Sequence, residues 1–374
     1  MLNNTDLANA ASEGIISGDQ AKQLKAFSKR TRSNAESPLT QEFETRDEPF
    51  RLLRGFRDIF IALGILFFSI GATAVYFYTF GLKLYDIPIV KDWGVLLAGA
   101  VLLLIGLAIA EIVTRKLRLP LSSLILSLAI AFWFGLLGVL LFSVIGSLFG
   151  GFEKSDYDLQ PVVFTISSFA GIALFYLRYR LPFVMLVVAG SLVAFLGTSI
   201  NAASPEFFKE NTRLVFGALG LLVFVAAMSF DLKDRLRISR FSECGFWLHL
   251  LAAPLMIHSM LAGSAFNSVN IPLVLTVFVF LTLVALIIDR RALLVSSLIY
   301  MTGAFTQIVR TLEFDESLQF AFPILFIGIL VILLGLGWSP LRRFIMSLIP
   351  LPALKDRLPP VYGGPTSPQT KMKA

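Results

Sequence analysis

Residues 93–148 read WGVLLAGAVLLLIGLAIAEIVTRKLRLPLSSLILSLAIAFWFGLLGVLLFSVIGSL. Two apolar runs, Trp93–Val113 and Pro120–Leu148, flank one basic turn, Arg115-Lys116-Leu117-Arg118. Each run reaches the ~20 residues that a helix needs to cross a ~30 Å hydrocarbon layer. Backbone N–H and C=O groups find no water in lipid, so segments this apolar cross only as helices. The pattern extends outward in both directions. Further spans are read at Ile59–Phe80, Pro161–Leu177, Leu181–Ile200, Leu214–Phe230, Gly245–Gly263, Asn270–Ile288, Ala292–Val309 and Gln319–Trp338. The fold class predicted is an all-α, polytopic transmembrane bundle of ten spans.

Loop charge sets the orientation. Alternate turns carry Arg115-Lys116-Leu117-Arg118, Arg178-Tyr179-Arg180, then Lys233, Arg235, Arg237 and Arg240, then Arg290-Arg291. The turns between them hold Lys83 and Lys91, Lys154, then Lys209 and Arg213, and finally Arg310. With both tails on the basic side, that side holds 26 of the 32 Lys and Arg. The positive-inside bias therefore predicts two cytoplasmic termini.

At 56% hydrophobic and 15% charged, the 374 residues lie far outside soluble composition. The formal charge of +7 crowds at helix ends, where it meets anionic headgroups, so nucleic acid is not an expected partner and membrane lipids are. A single Cys, Cys244, allows no intrachain disulfide and no cysteine metal cluster. From the polar start of the chain and the length of the first span no cleavable leader is expected, and that span is expected to act as an uncleaved anchor. Short loops and small size suit a bacterial inner membrane.

Four regions are expected. Residues 1–31 read as a cytoplasmic helical hairpin whose second helix opens on the capping box Ser17-Gly18-Asp19-Gln20. This hairpin is the expected place for a protein partner. Residues 32–49 form a linker rich in Ser, Thr, Pro and acidic residues. Residues 50–338 hold the ten spans, entered through Arg51, Arg54 and Arg57 at spacings of three, which suit contact with lipid phosphate. Residues 339–374 comprise an interfacial helix with Arg342 and Arg343 on the membrane surface, then a Pro-rich tail.

Ten spans divide into five and five, which implies an inverted repeat with a carrier's site at short, hydroxyl-bearing helices four and nine. Ser168 and Ser297 are the substrate-binding candidates there, although ordinary Ser/Thr helix packing accounts for the same residues. Both histidines, His249 and His258, lie in the seventh span, and an ionisable side chain at that depth is a functional candidate. Nine residues apart, they face roughly opposite sides of an ideal helix and cannot share one metal ion unless the helix is broken, and Pro254 between them is expected to kink it. Neither a metal nor any other cofactor is expected. Glu111 reads as an i,i+4 partner of Arg115, and Asp231 and Asp289 read as wet helix ends. No phosphate loop, metalloprotease helix or nucleophile elbow is present in the sequence, so no catalytic residues are assigned and an enzyme is not expected.

At Phe246-Trp-Leu-His-Leu-Leu-Ala-Ala-Pro254, Asp289-Arg-Arg-Ala-Leu-Leu-Val295, Phe56-Arg-Asp-Ile-Phe60 and Glu13-Gly-Ile-Ile-Ser-Gly-Asp-Gln-Ala21 the chain resembles multi-pass bacterial inner-membrane proteins of unknown function. The resemblance implies a cytoplasmic hairpin ahead of a polytopic region and transfers no activity. The layout is also similar to that of drug/metabolite-type carriers, in topology alone. The first functional reading is thus a small-molecule carrier. The alternative is a non-catalytic scaffold or accessory subunit; a packed interior favours it, whereas a cavity touching helices four, seven and nine favours the carrier.

Overall fold

The structure is a computed structural model that describes residues 12–13, 17–20, 23, 55–80, 93–148, 159–234, 237, 239–261, 271–310, 315–350 and 358–359. The chain divides into two units, residues 48–360 and a second unit of residues 1–47 with 361–374. In the second unit the Ser17–Gln20 capping box is formed. The Gln20 N–H donates to Ser17 Oγ at 3.1 Å, and the Ser17 N–H donates to Gln20 Oε1 at 2.8 Å. The rest of the hairpin and the linker lie outside the described residues.

The larger unit is a polytopic helical membrane bundle. Among the described residues ten helices are long and apolar enough to span. They are α1 Phe56–Thr79, α2 Trp93–Lys116, α3 Pro120–Leu148, α4 Gln160–Tyr179 and α5 Val184–Ala203, then α6 Thr212–Lys233, α7 Arg240–Leu261, α8 Ile271–Ile288, α9 Ala292–Arg310 and α10 Glu316–Leu348. The last six residues of α2, Glu111–Lys116, widen into a π-turn. Helix α7 stays helical through Pro254.

Two helices organise the packing. In the first half α3 meets α1, α2, α4 and α5. Its Trp133 is 2% exposed, lies beneath Gly106 of α2 and donates to Thr73 Oγ1 of α1 at 3.0 Å. In the second half the centre is α7, which meets α6, α8, α9 and α5. The hub is thus the third helix of one half and the second of the other. Five neighbour pairs recur between the halves, α1–α2, α2–α3, α3–α4, α4–α5 and α3–α5 with α6–α7, α7–α8, α8–α9, α9–α10 and α8–α10, whereas α1–α3 and α7–α9 have no comparable counterpart among the described residues.

Helix α10 departs from expectation. It runs unbroken to Leu348, through Pro323 and Pro340, rather than ending at Trp338 ahead of a separate interfacial helix. At ~1.5 Å per residue its 33 residues extend about 50 Å, well beyond a ~30 Å hydrocarbon layer.

Among the described residues four non-glycine residues take a left-handed backbone: Arg118, Arg180, Arg237 and Asp289, with φ of 53°, 53°, 55° and 58°. Each lies in the turn that follows an even-numbered span at the basic end. At Asp289 the arrangement is a Schellman stop, with the Arg290 N–H on the Ala285 carbonyl at 2.8 Å. Glycine would relieve roughly 1 kcal/mol at such positions. It would also remove a guanidinium or a carboxylate, and at Arg237 and Asp289 these two charges bond each other.

Candidate functional site

The polar side chains of the larger unit gather at its basic end, around four acids. Asp58, in the first turn of α1, is fully buried and caps α3. Its carboxylate accepts from the Leu121 and Ser122 N–H groups at 3.2 and 3.0 Å and from Ser122 Oγ at 2.6 Å. The free N–H groups and positive dipole end of α3 thereby meet a negative charge supplied by another helix. Glu111 ties α2 to α4. It accepts from Arg115 at 2.6 Å, the i,i+4 pair expected, and also from Arg178 at 2.8 Å and the Tyr179 hydroxyl at 2.7 Å.

Asp231, on the last turn of α6, is the centre of the largest cluster. Arg290 Nε donates to its Oδ2 at 3.0 Å and Arg290 Nη2 to its Oδ1. His249 Nε2 lies 3.0 Å from the same Oδ2. The Arg290 guanidinium, 0% exposed, also donates to the Ser242 carbonyl and hydroxyl, both at 3.0 Å. A Cβ at Gly245 would strike the Asp231 carboxylate, so glycine there lets the acid lie against α7. Asp231 was expected to be wet. Its side chain is instead only 11% exposed, because Arg290, in the turn before α9, and the first turns of α7 lie against it.

Asp289 likewise is not a free helix end. It accepts from Arg237 at 3.2 Å and from the Trp338 indole N–H of α10 at 2.8 Å. Arg237 also donates to the Ile288 and Asp289 carbonyls at 2.9 and 2.6 Å. Arg342, expected on the membrane surface, turns inward and is 5% exposed. Its Nε donates to the Leu286 carbonyl at 3.1 Å and its Nη2 to the Pro359 carbonyl at 2.8 Å. Unsatisfied carbonyls at the end of α8 and in the tail give a guanidinium better partners than water does. Arg343 and Arg57 are exposed, as an interfacial role requires, while Arg51 and Arg54 lie outside the described residues.

The four candidate substrate contacts do not converge. Ser168 is buried on α4, with its hydroxyl against Gly135 of α3. Ser297 is buried on α9 and donates to the Leu294 carbonyl of its own helix at 2.8 Å. Thr302 and Thr306 likewise bond carbonyls within α9. Helices α4 and α9 are not packed neighbours; α4 lies on α3 and α5, and α9 on α7, α8 and α10. His249 is fully buried, held by Asp231 with the Phe224 ring edge-on at 5.3 Å. A proton on Nε2 lets His249 donate to the Asp231 carboxylate, while Nδ1 is buried with no hydrogen-bond partner among the described residues. His258 is the exception. It is exposed one turn before the described end of α7, 3.3 Å from the Tyr300 hydroxyl and edge-on to Phe216 at 5.7 Å. Since α7 begins at Arg240, His258 sits ~27 Å along it, nearer the far end than a start at Gly245 implied.

The Asp231 carboxylate accepts at both oxygens, and its charge is balanced by Arg290. Among the described residues no three His, Cys, Asp or Glu side chains gather where a metal ion could bind. Asp58, Arg290, Ser122 and Ser242 were not singled out from the sequence. The available signal was an acid or arginine placed within one turn of an apolar span, beside a Ser at the start of another. No family model matches the chain, and no curated protein or solved structure matches it significantly.

Proposed function

We propose that this integral membrane protein is a non-catalytic scaffold of a bacterial inner membrane, with residues 1–31 as its cytoplasmic docking module. The observation that carries the reading is the use made of the polar groups. His249, Ser168 and Ser297, the residues a carrier would turn toward a substrate, are buried in helix contacts. The ends of α6, α7, α8, α9 and α10 are fastened by two arginine–carboxylate clusters at the face that a carrier must open. A tie of that kind resists the rocking of one bundle against another that alternating access needs.

The test is a distance measurement in lipid bilayers, with spin labels at Ser239 and Ser347 in a Cys244→Ser background. A scaffold gives one narrow distance distribution, unchanged by a whole-cell metabolite extract. Two populations that exchange weight when the extract is added would overturn the proposal.

One observation favours the carrier, the exposed imidazole of His258 beside Tyr300. If His258 serves transport, His258→Gln and His258→Leu both fold and both abolish uptake into proteoliposomes, because neither keeps an imidazole at that position. If it serves only packing, the Gln variant matches wild type and the Leu variant loses at most about 1 kcal/mol of stability through the Tyr300 bond.

A further inference from the structure

Helix α10 is the least embedded of the ten spans among the described residues, with 6% of its most apolar stretch buried. From Ile324 to Gly337 none of its residues is buried. Burial returns only toward the basic end, where Trp338, Arg342 and Met346 repeat every four residues along one face. Two of these three make polar ties. The Trp338 indole N–H donates to Asp289 at 2.8 Å, and Arg342 Nε donates to the Leu286 carbonyl at 3.1 Å, both partners at the end of α8. The position of α10 thus depends on what holds this end.

The tail supplies a third tie. Leu358 is 3% exposed, and the next carbonyl, that of Pro359, accepts from Arg342 Nη2 at 2.8 Å, 17 positions back along the chain. Pro359 precedes another proline, and a residue in that place is kept out of the helical region. Its carbonyl is therefore not consumed by a helix and is open to a guanidinium, a stronger partner than a neutral donor. One side chain, Arg342, joins α10, the end of α8 and the tail. A buried leucine and one charged bond, less the cost of ordering the segment, favour the seated tail by about 10- to 100-fold. That is small beside the stability of a packed bundle, so the contact belongs among those that open locally.

We propose that Leu358-Pro359 is a releasable strap. Seated, it clamps the basic end of α10 against α8; unseated, it frees that end of α10 while the other nine spans stay packed. The strap does not rest on the scaffold reading, because it concerns one helix and its tail.

Distances between spin labels at Ser229 of α6 and Ser347 of α10, in a Cys244→Ser background in lipid bilayers, test it. The full chain should give one narrow distribution, and a chain ending at Pro360 should keep it. A chain ending at Arg357 and the Leu358→Asp variant should both lose the narrow peak as the main population. Both should still melt cooperatively, no more than about 5 °C below the full chain. A full chain as broad as the strap variants, a narrow peak retained in either variant, or a loss already present in the chain ending at Pro360 overturns the proposal. So does loss of cooperative melting in both variants, which would make the segment part of the fold rather than a strap. No extract is added here, so a second population that appears only with metabolites would sink the scaffold and leave the strap standing.

Discussion

Asp231→Ala is expected to lower the stability of the bundle by about 3–5 kcal/mol, the usual penalty for removing one member of a buried ion pair. The loss comes less from the missing bonds than from what remains. Arg290 keeps its full charge at 0% exposure without the carboxylate that balances it, and His249 Nε2–H loses its acceptor. Asp231→Ala/Arg290→Met removes both charges and should regain most of the deficit, since apolar side chains of similar volume often replace buried pairs without net loss. Arg290→Lys should behave as a destabilised variant, because an ammonium cannot span both carboxylate oxygens and Ser242 together. Thermal unfolding in detergent reads all three. A single mutant that melts with wild type would show that the cluster holds nothing.

Gly138→Leu on α3 should have an effect of similar size by steric means. A Cβ at Gly138 would meet the Ser167 hydroxyl of α4, and one at Gly135 would meet Ser168 and Phe164. On α4, Gly171 accepts the Phe134 ring in the same way. Small residues let the two backbones approach closely, which is how helices associate where lipid supplies no hydrophobic drive between them. Forcing four extra carbons into this contact is expected to cost upward of about 3 kcal/mol, the top of the usual range for overpacking. Gly64→Leu is the control, since nothing lies within 4 Å of a Cβ there, and it should stay within about 0.5 kcal/mol of wild type. Limited proteolysis of membranes should cut the Gly138 variant between α3 and α4 while sparing the Gly64 variant. Equal resistance of the two would remove the α3–α4 contact as a determinant of the fold.

The sequence by itself determined the class, the number of spans and much of their extent. Trp93, Pro120, Leu148, Ile288 and Ala292 bound helices in the structure where the apolar runs place them. Run length and the nearest charge are local properties, so they can be read without knowing any neighbour. The capping box at Ser17–Gln20 is legible for the same reason, since its two bonds span three residues.

Which face of each helix is buried was not legible. Spans α3 and α10 are almost equally apolar, yet half of the most apolar stretch of α3 is buried against 6% of that of α10. A helix that is apolar all round carries no periodic stripe to mark its inner side. The acids at the basic end were hidden for a related reason. Asp231, Asp289 and Arg342 sit within a turn or so of a boundary, where water, headgroup and protein are all available partners. Asp58 reaches Ser122 across 64 positions, and Asp231 reaches Arg290 across 59. Only the tertiary arrangement of α1 on α3, and of α6, α7 and α9 together, decides that these charges meet each other rather than water, because burial at a helix end depends on what the neighbouring helices cover.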